Sequence, residues 1–294
     1  MVVPSSIERI EPLPQTAVAL LNRIPSRIED MPSLEDLLQG EPQLVDEMIE
    51  VALRAGRGWV GHRPDLAALV ERIDRAELAE IAITVLVRGY LRRAISSSED
   101  QPYWHYTLAC ALCCEQLAGP RQEGSLLAYA AGLLHDIGRL ALIAAYPDRS
   151  ANLLTLTDRM FASGEPFDIL EHERLLFGLD HYATGVLVAD GWNLPPWLRA
   201  MVGKFDDQAM GEYGKLVEIV RAGTQLAHSL GFGYLRAAPR ANIRTILSRF
   251  PEARKHWTVL DNWQYGEEHM REKIQTRFTW YSSPATKEEH GSAG

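Results

Sequence analysis

Ala130-Ala131-Gly132-Leu133-Leu134-His135-Asp136-Ile137-Gly138-Arg139-Leu140 sets an adjacent His–Asp pair at the polar end of an otherwise apolar helix. Neighbouring helical residues diverge by only about 100°, so a neutral imidazole and a carboxylate side by side can reach one divalent cation together. Such a pair is half of a metal site. Whether the chain supplies the other half decides whether it is an enzyme.

Outward from this stretch, helical patterns dominate. Apolar spacing, caps and breakers predict helices over 17–24, 43–54, 66–73, 75–96, 103–118, 124–135, 137–145 and 150–163. The pattern continues over 166–177, 181–191, 195–202, 211–230 and 243–249. Ser33-Leu34-Glu35-Asp36 reads as a capping box that opens a short helix ending at Gly40, and Pro42 sits just inside the helix after it. No alternating strand, Gly-rich phosphate loop or fixed-period repeat is visible, so the fold class is all-α.

The composition sets limits. With 294 residues, 46% hydrophobic and 23% charged, the chain can build a proper core. A formal charge of −9 argues against a general nucleic-acid binder, which needs a basic surface. No run of 18 or more apolar residues is seen, so neither a membrane span nor a membrane partner is expected. The N-terminus has no charged-then-hydrophobic signal pattern. Cys110, Cys113 and Cys114 share one helical face with Thr107 and Leu117, and read as reduced core residues in a cytoplasmic protein. Arg236, Arg240, Arg244, Arg249, Arg254 and Lys255 form a basic run that reads as a solvated face. Trp257, Trp263, Tyr265, Phe278, Trp280 and Tyr281 then make an aromatic segment expected to dock on the body or on a second chain, which would give a homodimer. Residues 282–294 read as disordered.

Several segments, in order, resemble the HD-related output domain (HDOD), a bacterial signalling branch of the HD phosphohydrolase superfamily. They are Ile10-Glu11-Pro12-Leu13-Pro14-Gln15, then Ser33-Leu34-Glu35-Asp36-Leu37-Leu38 with Glu41-Pro42-Gln43-Leu44. Tyr103-Trp104-His105-Tyr106-Thr107-Leu108-Ala109 follows, then the His135-Asp136 motif itself. Asp180-His181-Tyr182-Ala183-Thr184-Gly185 and Gly191-Trp192-Asn193-Leu194-Pro195 complete the series. The resemblance implies an HD-domain-like multi-helix bundle with an N-terminal helical lobe. On this division 7–207 is the module, split into an N-terminal lobe, 7–98, and an HD-like lobe, 99–207. Residues 208–250 complete that lobe, and 251–294 are an aromatic extension and tail.

The resemblance also implies a ligand set, since catalytic members of the superfamily bind one or two metals through a first His, the His–Asp pair, further His residues and a late Asp. Here His135 and Asp136 are present, and His181 is a third candidate. The first-His position holds Tyr106, with His105 one residue out of register, about 100° round the helix. Phe205 and Asp206 stand where paired histidines are common, and Gly223 stands for the late Asp. His135, Asp136, His181 and Asp206 are therefore the candidate metal ligands, a set too sparse for a two-metal hydrolytic centre.

In the favoured reading the site is vestigial and binds no cofactor. Asp136 then caps the helix from Ile137, and His135 hydrogen-bonds to it. The protein is a non-catalytic signalling scaffold whose partners are signalling proteins of two-component or cyclic-nucleotide pathways. Two alternatives stand beside it. One is a phosphohydrolase using a single divalent metal at the reduced site; the other is a small-molecule sensor with a pocket around Trp104, Tyr106 and Phe205. Among the remaining histidines, His172 reads as solvated and His228 as a core residue, while His62, His256, His269 and His290 have no partner spacing. The Gly-Tyr-Pro element of cyclic-di-GMP phosphodiesterases is missing: Gly89-Tyr90-Leu91 lacks the proline and precedes the His–Asp motif.

Overall fold

The structure is a computed structural model that describes residues 5–25, 34–56, 59, 63–95, 100–119, 124–165, 167–203, 207–235, 240–257 and 263–282. Ser33, His62, Phe205, Asp206, Arg236, His290 and residues 283–294 lie outside the described residues, as does the side chain of His256. Within them every regular element is an α-helix. α1 (Ser5–Glu8), α2 (Gln15–Arg23), α3 (Leu34–Gln39), α4 (Pro42–Arg54), α5 (Leu66–Arg72) and α6 (Arg75–Ala94) come first. α7 (Asp100–Ala118), α8 (Ser125–Leu134), α9 (Ile137–Ala145), α10 (Pro147–Ser163), α11 (Ile169–Phe177), α12 (His181–Gly191) and α13 (Pro196–Val202) follow. The chain closes with α14 (Asp207–Ser229), α15 (Ile243–Ser248), α16 (Pro251–Trp257) and α17 (Trp263–Trp280).

Five helix starts are written in short polar side chains. Asp65, Asp74, Asp168, Asp180 and Asn242 each accept a backbone N–H from the first turn of α5, α6, α11, α12 and α15. α10 begins at Pro147, three residues earlier than its apolar periodicity predicts, because proline fits the first helical position without losing a bond.

α7 is the central element, buried from Tyr103 to Cys114 apart from His105 and packed between α8 and α14. Its three cysteines are fully buried free thiols, and burial pushes them up, out of the range where thiolates form. Glycines set the closest approaches. A Cβ on Gly132 would fall 2.8 Å from the Cys110 carbonyl oxygen, and one on Gly138 would fall 1.9 Å from the His181 carbonyl oxygen and 2.5 Å from the Gly185 nitrogen. These are backbone atoms that cannot turn aside. Gly138→Ala should therefore force α9 and α12 apart and destabilise the protein by about 1–3 kcal/mol or more in urea denaturation. A loss under about 0.5 kcal/mol, the ordinary surface range, would mean that this contact is soft.

The stretch Ser125–Ala145 is long and apolar enough to cross a membrane by length and composition alone, although His135, Asp136 and Arg139 interrupt it. The chain breaks it into α8 and α9 at His135 and Asp136, and 89% of the window is buried inside the molecule. It is the core of the fold.

The aromatic segment docks on the body of the same chain. Trp263–Trp280 forms an 18-residue helix that sequence periodicity alone misses, lying against α4 and α7. It buries Gly266, Met270, Ile274 and Phe278, one residue per turn, a stripe too narrow to stand out among its charges. The basic run before it is partly engaged: Arg244 and Arg254 both lie over the Trp263 ring, and Arg249 pairs with Glu218.

Candidate functional site

The site is built where α8 stops. His135 still has helical angles, but Asp136 (φ −105°, ψ 26°) does not, so the chain turns between them into α9. Tyr103 on α7 donates its hydroxyl to the Asp136 carbonyl at 2.7 Å and pins the turn.

His135 is held neutral and fully committed. Its Nδ1 lies 2.8 Å from the Gly132 carbonyl, which can only accept, so Nδ1 carries the proton. Nε2 then holds the lone pair, and Tyr106 places its hydroxyl 3.0 Å from it as the donor. Burial lowers the His135 pKa and raises that of Tyr106 well above the usual phenol range, so this arrangement persists at neutral pH. Tyr106, at the expected first-His position, thus occupies the nitrogen a metal would need. His105 points elsewhere and stacks on Phe278 with centroids 4.1 Å apart, as its register predicts.

Asp136 does not cap α9, and His135 does not bond to it. These two expectations fail because a stronger partner is near. Arg139, one turn on, donates Nε to Asp136 Oδ2 at 2.8 Å, a charge-assisted bond that outcompetes a neutral amide cap. Its Nη1 reaches Glu173 Oε1 at 2.5 Å, and its Nη2 lies 3.1 Å from His181 Nδ1. Glu173, fully buried on α11, uses its other oxygen to accept the His181 backbone N–H at 3.0 Å and approaches His181 Nδ1 at 2.6 Å. Burial pushes the Glu173 carboxyl up, but the Arg139 charge and the His181 bonds outweigh it and hold the pKa below the usual range. Burial would likewise weaken the Arg139 proton, yet Asp136 and Glu173 bind it more firmly than in water.

A cavity of about 300 Å³ opens beside this cluster. Tyr106, His135, Asp136, Arg139 and His181 line it, with Tyr182, Tyr234 and His228 adding rings. His228, expected in the core, instead sits half-buried on this wall, its ring 5.4 Å from that of Tyr106. Burial, reinforced by His135, lowers its pKa to about 4, so it is neutral at pH 7. Trp104 is not part of the wall, since it packs on Tyr281 beneath Arg88. His172 stacks on Phe167 and bonds to the Asp168 carbonyl, so it is anchored rather than merely solvated.

A metal fits this donor set poorly. The lone pair of His135 is taken by Tyr106, one oxygen of Asp136 by Arg139, and a guanidinium already supplies positive charge between Asp136 and Glu173. Among the described residues no group of three or more His, Cys, Asp or Glu side chains converges on a metal position. Gly223 cannot be exchanged for the missing late Asp, because a Cβ there would meet Cys114 Sγ at 2.4 Å. Asp206 lies outside the described residues.

Glu173 and Arg139 went unassigned in the sequence, although both left signals. Arg139 is three residues after Asp136 on one helix, the spacing of an ion pair. Glu173 falls between Ile169 and Phe177 at four-residue steps, on the face that turns inward.

Residues 10–207, about two thirds of the chain, match the HDOD domain model. The chain belongs to the HDOD domain family. An HDOD domain protein of unknown function from Geobacter sulfurreducens has the same fold (TM-score 0.69, 17% identity, 94% of each chain covered). So does a provisionally named phosphohydrolase from Shewanella amazonensis SB2B (TM-score 0.62, 19% identity, 95% of this chain and 97% of that one). A provisionally named signal transduction protein from Marinobacter aquaeolei VT8 is a third (TM-score 0.65, 18% identity, 94% and 63%). In sequence the chain is 25% identical over 217 residues to an uncharacterized protein of Treponema pallidum, covering 66% of this chain and 40% of that protein's length. These likenesses place the HDOD fold; the chemistry rests on the side chains.

Proposed function

We propose that this chain is a non-hydrolytic HDOD signalling module, one in which an arginine replaces the metal centre of the HD superfamily. The carrying observation is Arg139, seated between Asp136, Glu173 and His181 while Tyr106 occupies the free nitrogen of His135. Metal-assisted phosphate hydrolysis needs a cation that polarises the ester and activates water. An arginine can neutralise carboxylates but cannot lower the pKa of a bound water in that way. The module then acts by binding, with signalling proteins of a cytoplasmic pathway as its partners. The provisional name of the Marinobacter structure agrees with this reading.

Elemental mass spectrometry of the purified protein, before and after incubation with Mn²⁺, Ni²⁺ and Zn²⁺, tests the proposal. The expected result is substoichiometric metal and no turnover on a panel of phosphate mono- and diesters, for wild type and Asp136→Asn alike. Near-stoichiometric metal that disappears in His135→Ala, with turnover, would overturn it in favour of a phosphohydrolase.

A further inference from the structure

The ion-pair cluster satisfies most of its own hydrogen bonds, and what is left over faces the cavity. A ring nitrogen cannot donate and accept at once. Against a carboxylate at 2.6 Å, His181 Nδ1 must carry its proton toward Glu173, so it has no lone pair for Arg139 Nη2 at 3.1 Å. The Nη2 hydrogens of a buried arginine are thereby left without an acceptor among the described residues. Next to them, Asp136 uses Oδ2 for Arg139, and its Oδ1 has no partner among the described residues. Both residues line the cavity. The wall therefore presents a hydrogen-bond donor and an acceptor side by side.

Charge narrows the ligand further. Asp136 and Glu173 carry two negative charges against the single positive charge of Arg139, and Arg221 adds a second arginine to the cavity wall. His135 and His228 are neutral at pH 7. An anion would meet Arg139 already flanked by two carboxylates, and a cation would meet two arginines. The walls are flat and aromatic, with Tyr106, Tyr182, Tyr234 and His228 around a space of about 300 Å³, the lower end of the usual range for small-molecule sites.

We propose that this cavity binds an uncharged mono- or bicyclic aromatic molecule bearing a cyclic amide edge, its carbonyl accepting from Arg139 Nη2 and its adjacent N–H donating to Asp136 Oδ1. The inference rests on the metal-free reading of the site and departs from the phosphate esters that the superfamily resemblance implies. It makes the module a ligand-responsive one, because a molecule bridging Arg139 and Asp136 touches α9 directly, and α11 and α12 through the Glu173–His181 contacts.

Isothermal titration of the full chain with two matched pairs tests this: hypoxanthine against purine, and 2-quinolone against quinoline, with phenyl phosphate as the anionic probe. The expected result is saturable binding of at least one cyclic amide. Its amide-free counterpart should bind about tenfold or more weakly, through the loss of hydrogen bonds to charged groups. His228→Leu and Tyr182→Ala, checked for native helicity by circular dichroism, should weaken the amide by a similar factor. No saturable binding of either amide, equal binding of the counterparts, tighter binding of phenyl phosphate, or full affinity in both variants would each overturn the proposal. Metal content measured on the same sample separates the failures: no amide binding by metal-free protein removes this inference alone, whereas bound metal removes the reading beneath it.

Discussion

Replacing Arg139 by alanine should destabilise the protein by about 3–5 kcal/mol, the range for a buried charge stripped of its partner. The guanidinium is the cation between Asp136 and Glu173, both buried, and its loss leaves two buried carboxylates without the charge they share. The contribution of Glu173 to the pH dependence should change sign as well. In the wild type the Glu173 pKa is lowered on folding, so the group contributes stability above the unfolded carboxylate range, near 4.5, and loses it as pH falls below that. In Arg139→Ala only the His181 bonds still act against burial, and the folded pKa should rise above the unfolded one. Measured against the wild type, the variant should then lose more stability at pH 8 than at pH 5. Urea denaturation at the two pH values reads both effects. A loss below about 1 kcal/mol, or an unchanged pH slope, would show that the cluster is solvated and that Arg139 does not hold it.

The second large effect lies at the other side of α7, where the C-terminal helix is fastened by charge. Arg277 on α17 stands 2.8 Å from Glu80 on α6, and both side chains are almost entirely buried. Lys273 pairs with Glu115 of α7 at 3.0 Å beside them. Burial raises the Glu80 carboxyl to about 7, with the Arg277 and Lys273 charges offsetting only part of the desolvation. A raised folded pKa means stability that is fully present below 4.5 and is lost as pH climbs through about 7. With one pKa unit worth about 1.4 kcal/mol, the loss between these limits is about 3 kcal/mol. Glu80→Gln should remove this contribution, so that the gap between the variant and the wild type changes by about that amount from pH 5 to pH 8. Arg277→Ala should enlarge the Glu80 contribution and cost about 3–5 kcal/mol at pH 8, with trypsin cutting α17 first. A gap between wild type and Glu80→Gln that stays constant over this interval would refute the assignment.

The parts of this protein that were legible in its sequence are those whose causes lie within a few residues. Helices announce themselves through period and cap, and Asp65, Asp74, Asp168 and Asp180 sit where the helices begin. The all-α class, the HDOD family and the His–Asp pair at a helix end all followed from such local order. So did Tyr106 at the first-His position and the turn of His105 away from it, since one residue of offset fixes a direction on a helix. α17 was the local element that escaped, its single buried residue per turn hidden among charges.

The state of the site was decided only in the tertiary structure. Asp136 had two partners available, the amides of its own helix and a guanidinium one turn on. Which one wins depends on how dry the site is, and that is set by α11 and α12 closing over it. Glu173 and His181 lie 34 and 42 residues beyond Arg139 along the chain. They meet it because glycines at 138 and 185 let two helices approach to backbone contact. No periodicity encodes that distance. The sequence by itself determined that a His–Asp pair would stand at a helix end on this fold. Only packing determined that an arginine would be drawn between Asp136 and Glu173 and held there by two buried carboxylates.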